Sequence, residues 1–260
     1  MCTIVAKRFP NIGWVGVKNR DRSAPTKTQL VRKTLDGMES VALEDETSHW
    51  TEGMNSRGIG VISSSLFPVA TDTTAQTIHH SRNGALLAKC LAESTLDNAV
   101  KILENKVSGC VLVFDKDRCI LIEGDHQGRE QRIKEIKDDY VARTNHGIML
   151  PKAGYQPHSR NKILELRRLS SESRLYIANH VVEAASTPNE LMVLLAHKWI
   201  DNPQLNNLRT ATAEISTRTT EQLMLEPAKL LMIVRNVDGT LDFKQSTANP
   251  AGSQIEVGIV

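Results

Sequence analysis

Short apolar runs separated by polar turns recur along the chain, and this pattern is typical of β-strands. Residues 3–7 and 14–17 form two such runs, with a Pro, an Asn and a Gly between them. Residues 110–114 and 119–122 form another pair around an Asp-Lys-Asp-Arg turn. Each pair predicts a β-hairpin.

The pattern changes to a helical period in the middle of the chain. Residues 81–106 carry an apolar stripe at i, i+3, i+4 and i+7, with Ser94 or Thr95 as the expected N-cap. The other predicted helices are residues 163–169, residues 175–185, and a helix that opens with a capping box at residues 187–190.

The remaining apolar runs predict further strands. They lie within residues 30–50 and at residues 59–62, 131–137, 140–143, 211–219, 222–226, 229–235 and 241–243. Residues 245–260 are mainly polar, and we expect them to be a surface or frayed tail. Because most connections between strands are short, antiparallel pairing is expected. Two antiparallel sheets with helices on the outside would satisfy this order.

The composition is that of one soluble globular domain spanning residues 1–260. Lys plus Arg is 32 and Asp plus Glu is 30, and aromatic residues make up only 4%. This balance indicates neither a nucleic-acid groove nor a membrane surface. We therefore expect a small molecule as the partner, and association into a homo-oligomer is left open.

The four cysteines, at positions 2, 90, 110 and 119, form no CxxC pair and no zinc-site spacing with the histidines. No metal or cofactor is predicted from them, and Cys110 and Cys119 are expected in the core. So few cysteines, together with the absence of an apolar signal run at the start, favour a cytoplasmic protein with reduced thiols.

Cys2 is a candidate nucleophile because removal of Met1 would give one residue both a thiol and a free α-amine. An α-amine has a pKa of about 7.7–8.0, so it can accept and return a proton near neutral pH. The predicted hairpin would bring residues 18–21 back beside Cys2. By itself, a cysteine at this position is more often a small buried side chain.

Four short motifs occur in order along the first two thirds of the chain. They are Met1-Cys2-Thr3 followed by Lys18-Asn19-Arg20-Asp21, then Gly53-Met54-Asn55 before Gly58-Ile59, then Thr144-Asn145-His146, and then Ser159-Arg160. Together they resemble the cysteine N-terminal nucleophile (Ntn) hydrolases of the choloylglycine hydrolase and penicillin acyltransferase type, including the acid ceramidase and N-acylethanolamine amidase branch.

This resemblance implies an α+β fold, a four-layer αββα sandwich of two antiparallel sheets flanked by helices. It also implies hydrolysis of linear, non-peptide amides through a thioester on Cys2, or acyl transfer by the same chemistry. Asp21 would accept a hydrogen bond from the Cys2 amine. Asn145 would donate to the oxyanion, and Arg160 would hold Cys2 in place.

The chain departs from the family pattern at two places. Lys18 stands where the family usually has an arginine. Arg20 is the alternative source of that charge, although we expect it on the opposite face of the strand. Ser64 and Ser65 stand where bile-salt hydrolases have an oxyanion-hole asparagine, so with Asn55 they are candidate substrate-binding or oxyanion residues.

Two other functions are compatible with these motifs. A glutaminase of the class II amidotransferase type also begins Met-Cys, but it usually continues Gly-Ile, whereas this chain continues Thr3-Ile4. A non-enzymatic trafficking protein of the family named for an Asn-Arg-Asp-Glu motif is the second alternative. Here that motif reads Asn-Arg-Asp-Arg and ends at Arg22.

Overall fold

The computed structural model describes residues 2–22, 28–46, 49–66, 73–126, 130–156, 162–196, 218–226, 229–235, 241–247 and 256–259. The strands are β1 (Cys2–Phe9), β2 (Gly13–Arg22), β3 (Thr28–Leu35), β4 (Met38–Asp45), β5 (Thr51–Asn55), β6 (Gly60–Ser64), β7 (Gly109–Phe114), β8 (Cys119–Gly124), β9 (Gln131–Glu135), β10 (Tyr140–Arg143), β11 (Arg218–Glu226), β12 (Lys229–Arg235), β13 (Leu241–Thr247) and β14 (Glu256–Ile259). The helices are α1 (Thr73–Cys90), α2 (Leu96–Leu103), α3 (Lys162–Ala184) and α4 (Pro188–Ala196).

Two antiparallel sheets of seven strands each form the centre of the molecule. The first sheet has the order β10-β1-β2-β11-β12-β13-β14, and the second runs in chain order from β3 to β9. β1 therefore lies between its hairpin partner β2 and the later strand β10. This position brings the start of β1 beside the residues that follow β10.

Three apolar layers show how the sheets and helices stack. Ile4, Trp14 and Phe114 belong to a cluster between the two sheets. A second cluster packs α1 and α2 on the outer face of the second sheet. A third packs α3 and α4 against the outer face of the first sheet, where Val5 and Val182 meet. The fold is therefore the expected αββα sandwich, because both faces of each sheet are covered.

Both predicted hairpins are confirmed as β1–β2 and β7–β8. In the second, Asp115 Oδ1 accepts from the N–H groups of Asp117 and Arg118, which fixes the turn. The predicted caps are also confirmed. Thr95 caps α2, and the Glu190 N–H donates to Thr187 Oγ1 at the start of α4.

The structure corrects three of the predicted boundaries. The helix expected over residues 81–106 is two helices, α1 and α2, separated by a turn. The two helices expected at 163–169 and 175–185 are one helix, α3. The end of the chain is not simply a polar tail, because β14 pairs with β13 within residues 245–260.

None of the helices in the described ranges combines enough length with enough apolar character to cross a membrane.

Candidate functional site

The site is built around Cys2, the first residue of β1. The register of β1 with β10 pairs Ile4 with Arg143. Continued by two residues, that register sets Cys2 opposite Asn145. The backbone N–H of Cys2 donates to Asn145 Oδ1 at 2.9 Å. Two residues predicted for the site, 143 positions apart in sequence, are thus in direct contact.

An arginine that the sequence analysis missed binds both of these residues. Arg174, on α3, donates to the Cys2 carbonyl oxygen at 2.6 Å and to Asn145 Oδ1 at 3.0 Å. The arginine predicted for this role, Arg160, lies outside the described residues. One sequence signal could have found Arg174. It stands four residues before Ala178, so it lies on the face of α3 that packs against the sheet.

Hydrogen bonds from three elements fix the orientation of Asn145. Its backbone N–H donates to Ser171 Oγ at 2.9 Å, and its Nδ2 donates to the carbonyl oxygen of Ser65 at 2.8 Å. Next to it, Thr144 Oγ1 donates to the Ser171 carbonyl oxygen, and its own carbonyl accepts from Ser64 Oγ at 2.6 Å. An amide nitrogen carries two hydrogens, and only one of them is bonded among the described residues, so the second can serve a ligand.

A buried carboxylate holds the segment that contains Asn145, residues 144–155, which we call the site loop. Glu123 is completely buried, and its Oε1 accepts from Arg143 Nε at 2.8 Å. Its Oε2 accepts from three consecutive backbone N–H groups, those of Ile148, Met149 and Leu150. A buried charge is tolerated when it is paired and fully hydrogen-bonded, as this one is.

His146 is a neutral part of the same network. Its Nδ1 lies 2.8 Å from Ser171 Oγ. Burial, with the nearby Arg168 guanidinium acting in the same direction, lowers the pKa of His146 to about 4. The imidazole therefore contributes a hydrogen bond near neutral pH and carries no charge there.

Two cationic side chains of β2, those of Lys18 and Arg20, are ion-paired to the second sheet. Lys18 Nζ lies 2.6 Å from both carboxylate oxygens of Glu52, and Arg20 Nη2 lies 2.8 Å from Asp45 Oδ2. The expectation that Arg20 leaves the opposite face from Lys18 is wrong. Residues two apart on a strand share a face, and both side chains cross the space between the sheets.

The other predicted site residues lie in different places. Ser64 is the last residue of β6 and Ser65 follows it, and both lie beside Asn145 and Thr144 through the hydrogen bonds given above. Asn55 is not brought to Cys2. Its amide nitrogen donates to the carbonyl oxygens of Leu91 and Glu93, so its side chain faces the helices. Asp21 adjoins Arg20, the residue paired with Cys2, but its side chain lies outside the described part of the structure.

The other three cysteines are poor candidates for a nucleophile. Cys90, Cys110 and Cys119 are completely buried, whereas Cys2 is half-buried. Burial raises the pKa of all three buried thiols, so they stay protonated at neutral pH. Within the described ranges, no three His, Cys, Asp or Glu side chains cluster in a way that could hold a metal ion.

Neither a protein-family profile nor any curated protein matches the sequence. Among solved structures, the fold is similar to that of the C2A mutant of the conjugated bile acid hydrolase from Clostridium perfringens. The TM-score is 0.55 at 12% sequence identity, over 99% of this chain and 96% of that one. At such low identity the likeness concerns the fold. The chain folds as an αββα sandwich of the Ntn-hydrolase type.

Proposed function

We propose that this chain hydrolyses linear, non-peptide amide bonds of small acyl amides, with the Cys2 thiol as nucleophile. The observation that carries this proposal is the contact of the Cys2 nitrogen with Asn145 Oδ1, which Arg174 reinforces. The similarity of fold to a conjugated bile acid hydrolase supports it. That enzyme also has a cysteine at its second position, the residue replaced in its C2A mutant.

Acylation begins once the residue before Cys2 is removed and its α-amine is free. The amine takes the thiol proton, and the sulfur attacks the amide carbon to form a C–S bond. The carbonyl π electrons move to oxygen, where the second N–H of Asn145 Nδ2 donates to the new oxyanion. When the C–N bond breaks, the α-ammonium gives its proton to the leaving nitrogen.

Deacylation repeats these steps with water in place of the thiol. The α-amine takes a proton from water, and the hydroxide formed attacks the thioester carbon. The C–S bond then breaks, the acid leaves, and the sulfur recovers its proton from the ammonium. If a second amine takes the place of water, the same step transfers the acyl group instead.

The supporting residues have distinct proposed tasks. Asp21 would orient the α-amine, and Arg174 fills the task first expected of Arg160, to hold Cys2 in place. Lys18 is fully engaged by the Glu52 carboxylate. We therefore propose that Lys18 acts on the site chiefly by fixing β2 against the second sheet, with its positive charge largely compensated.

A substrate panel with detection of released amine tests this function. The panel contains N-acyl amino acids, N-acylethanolamines, aryl-acetamides and free glutamine, assayed with the parent protein and with Cys2→Ala. We expect turnover of at least one acyl amide by the parent protein and none by Cys2→Ala. The matched control is Cys119→Ala, in the core between the sheets, which should retain turnover.

The other outcomes select among the alternatives. Turnover of glutamine alone would favour a glutaminase. No turnover, together with a Cys2 thiol inert to acylating reagents, would favour a non-enzymatic role. Turnover by Cys2→Ala would refute the nucleophile assignment.

A further inference from the structure

The reacting centre has one assigned oxyanion donor, Asn145 Nδ2, and the residues expected to supply a second are engaged elsewhere. The Ser64 hydroxyl donates to the Thr144 carbonyl oxygen. Ser65 turns its carbonyl, an acceptor, towards Asn145. Both donors of the Asn55 amide go to carbonyl oxygens on the helix side. Among the described residues, the site loop offers a further side-chain donor.

The end of the site loop, at Tyr155, pairs with its beginning, next to Asn145. His146 and Gly154 form an antiparallel bridge, and the Tyr155 N–H donates to the Asn145 carbonyl oxygen at 3.3 Å. Tyr155 is thus directly opposite Asn145, just as Asn145 is opposite Cys2. Residues opposite each other on antiparallel strands project to the same face, within reach of an aromatic side chain.

Hydrogen bonds hold both the backbone and the side chain of Tyr155. Arg168 Nη1 donates to the Tyr155 carbonyl oxygen at 2.8 Å. The side chain of Arg167 hydrogen-bonds the phenol, and Tyr155 is 8% exposed. Since a guanidinium can only donate, the phenol oxygen accepts from Arg167, and its own O–H must point to another acceptor.

The phenol also keeps its proton. Burial raises the pKa of Tyr155 above its ordinary value, and this effect outweighs the lowering by the nearby Arg167 and Arg174 guanidinium groups. The hydroxyl therefore remains a neutral hydrogen-bond donor near neutral pH.

We propose that the Tyr155 hydroxyl is the second hydrogen-bond donor to the oxyanion at Cys2, supplied by the site loop instead of by β6. This proposal rests on the proposed function of Cys2. When sulfur bonds the acyl carbon, the carbonyl electron pair moves to oxygen, and that oxygen accepts from Asn145 Nδ2 and from the Tyr155 O–H. The hydroxyl keeps its proton throughout, so it makes the reaction faster and leaves its stoichiometry unchanged.

Two reagents separate this role from a general effect on the thiol. Acylation by p-nitrophenyl acetate passes through an oxyanion, whereas alkylation by iodoacetamide does not. For Tyr155→Phe we expect single-turnover acylation of Cys2 to fall about 10²-fold, the usual effect of losing one such donor. Alkylation should change by less than about twofold, because no oxyanion forms. Tyr176→Phe, on the exposed face of α3, is the matched control and should change neither rate.

A second variant covers the case in which Tyr155→Phe does not fold. Arg167→Gln keeps the phenol but removes the guanidinium that orients it, so it should slow acylation in the same direction by a smaller factor. Equal losses in acylation and alkylation, or no loss of acylation in either variant, would refute the Tyr155 proposal alone. Absence of Cys2 acylation in the parent protein would refute the proposed function and this proposal with it.

Discussion

Asn145 is the residue at which the two sheets, α3 and Cys2 meet. Its Oδ1 accepts from the Cys2 nitrogen and from Arg174, and its Nδ2 donates to Ser65. These contacts fix the orientation of the Asn145 side-chain amide. The orientation is set before any substrate binds, and such preorganisation is what makes a hydrogen-bond donor effective in catalysis.

Asn145→Ala should leave the Cys2 thiol reactive and slow acyl transfer. An oxyanion donor acts on charge that develops only in the transition state, and its loss typically costs about 10²–10³ in kcat. Steady-state hydrolysis and iodoacetamide alkylation measure the two effects, with Asn98→Ala on the exposed face of α2 as control. Turnover at the parent rate would show that Asn145 is not the donor.

Ser171→Ala should destabilise the protein and disorder Asn145. The Ser171 hydroxyl is the acceptor for the buried Asn145 N–H, and a buried donor left without its partner costs about 1–3 kcal/mol. Urea unfolding measures the free energy of unfolding, with the neighbouring half-buried Ser170→Ala as control. Equal free energies for the two variants would contradict this role.

Among the elements, α3 has an inner face that is polar in its first half and apolar in its second half. Arg167, Ser171 and Arg174 point towards the site, and from Ala178 onward the same face is apolar and packs on the sheet. A search for an apolar period finds helical patterns at residues 163–169 and 175–185 but none across the polar residues 170–174, which include Ser171 and Arg174. This is why one helix was expected to be two, and why Arg174 was missed.

β-Strands and turns could be predicted because their signals are local. The 115–118 turn and the β1–β2 hairpin follow from residues close in sequence. The approach of Asn145 to Cys2 depends on pairing between β1 and β10, and periodicity carries no information about that pairing. The prediction that Asn145 lies near Cys2 came from the family resemblance. A motif that resembles the family pattern does not by itself give the direction of a side chain. Asn55 belongs to such a motif on β5, but its side chain faces the helices.

Lys18→Met tests the ion pair that joins β2 to β5. Lys18 and Glu52 are 2% and 3% exposed, and removing one partner of a buried pair typically costs about 3–5 kcal/mol because the other charge is left unpaired. Arg8→Met removes an exposed pair with Asp139 and should cost less than about 1 kcal/mol. Chemical denaturation compares them. A similarly small loss for both would show that the buried Glu52 carboxylate does not depend on Lys18 for its stabilisation.

At the scale of the whole molecule, titration of His146 should couple stability to pH. Its pKa is about 4 in the folded protein, against about 6.5 when unfolded. Between these values the unfolded chain binds more protons, so stability falls as pH drops through this window. The part due to His146 is about 3 kcal/mol at most.

The measurement is urea unfolding at several pH values from 7 down to about 4. His146→Asn keeps an acceptor near Ser171 but does not titrate, so its stability should depend less on pH in this window. His180→Asn, on an exposed turn of α3, should behave like the parent protein. An unchanged pH dependence in His146→Asn would show that His146 is not the group responsible.

The central claim is that Cys2 is an N-terminal nucleophile whose acyl-enzyme is hydrolysed at this site. The most direct test is mass spectrometry of the intact protein and its N-terminal peptide during reaction with p-nitrophenyl acetate. The account predicts active protein without Met1, one acetyl group on Cys2 that appears and then decays, and no adduct in Cys2→Ala. Full activity with Met1 retained, or acetylation that persists in Cys2→Ala, would contradict it.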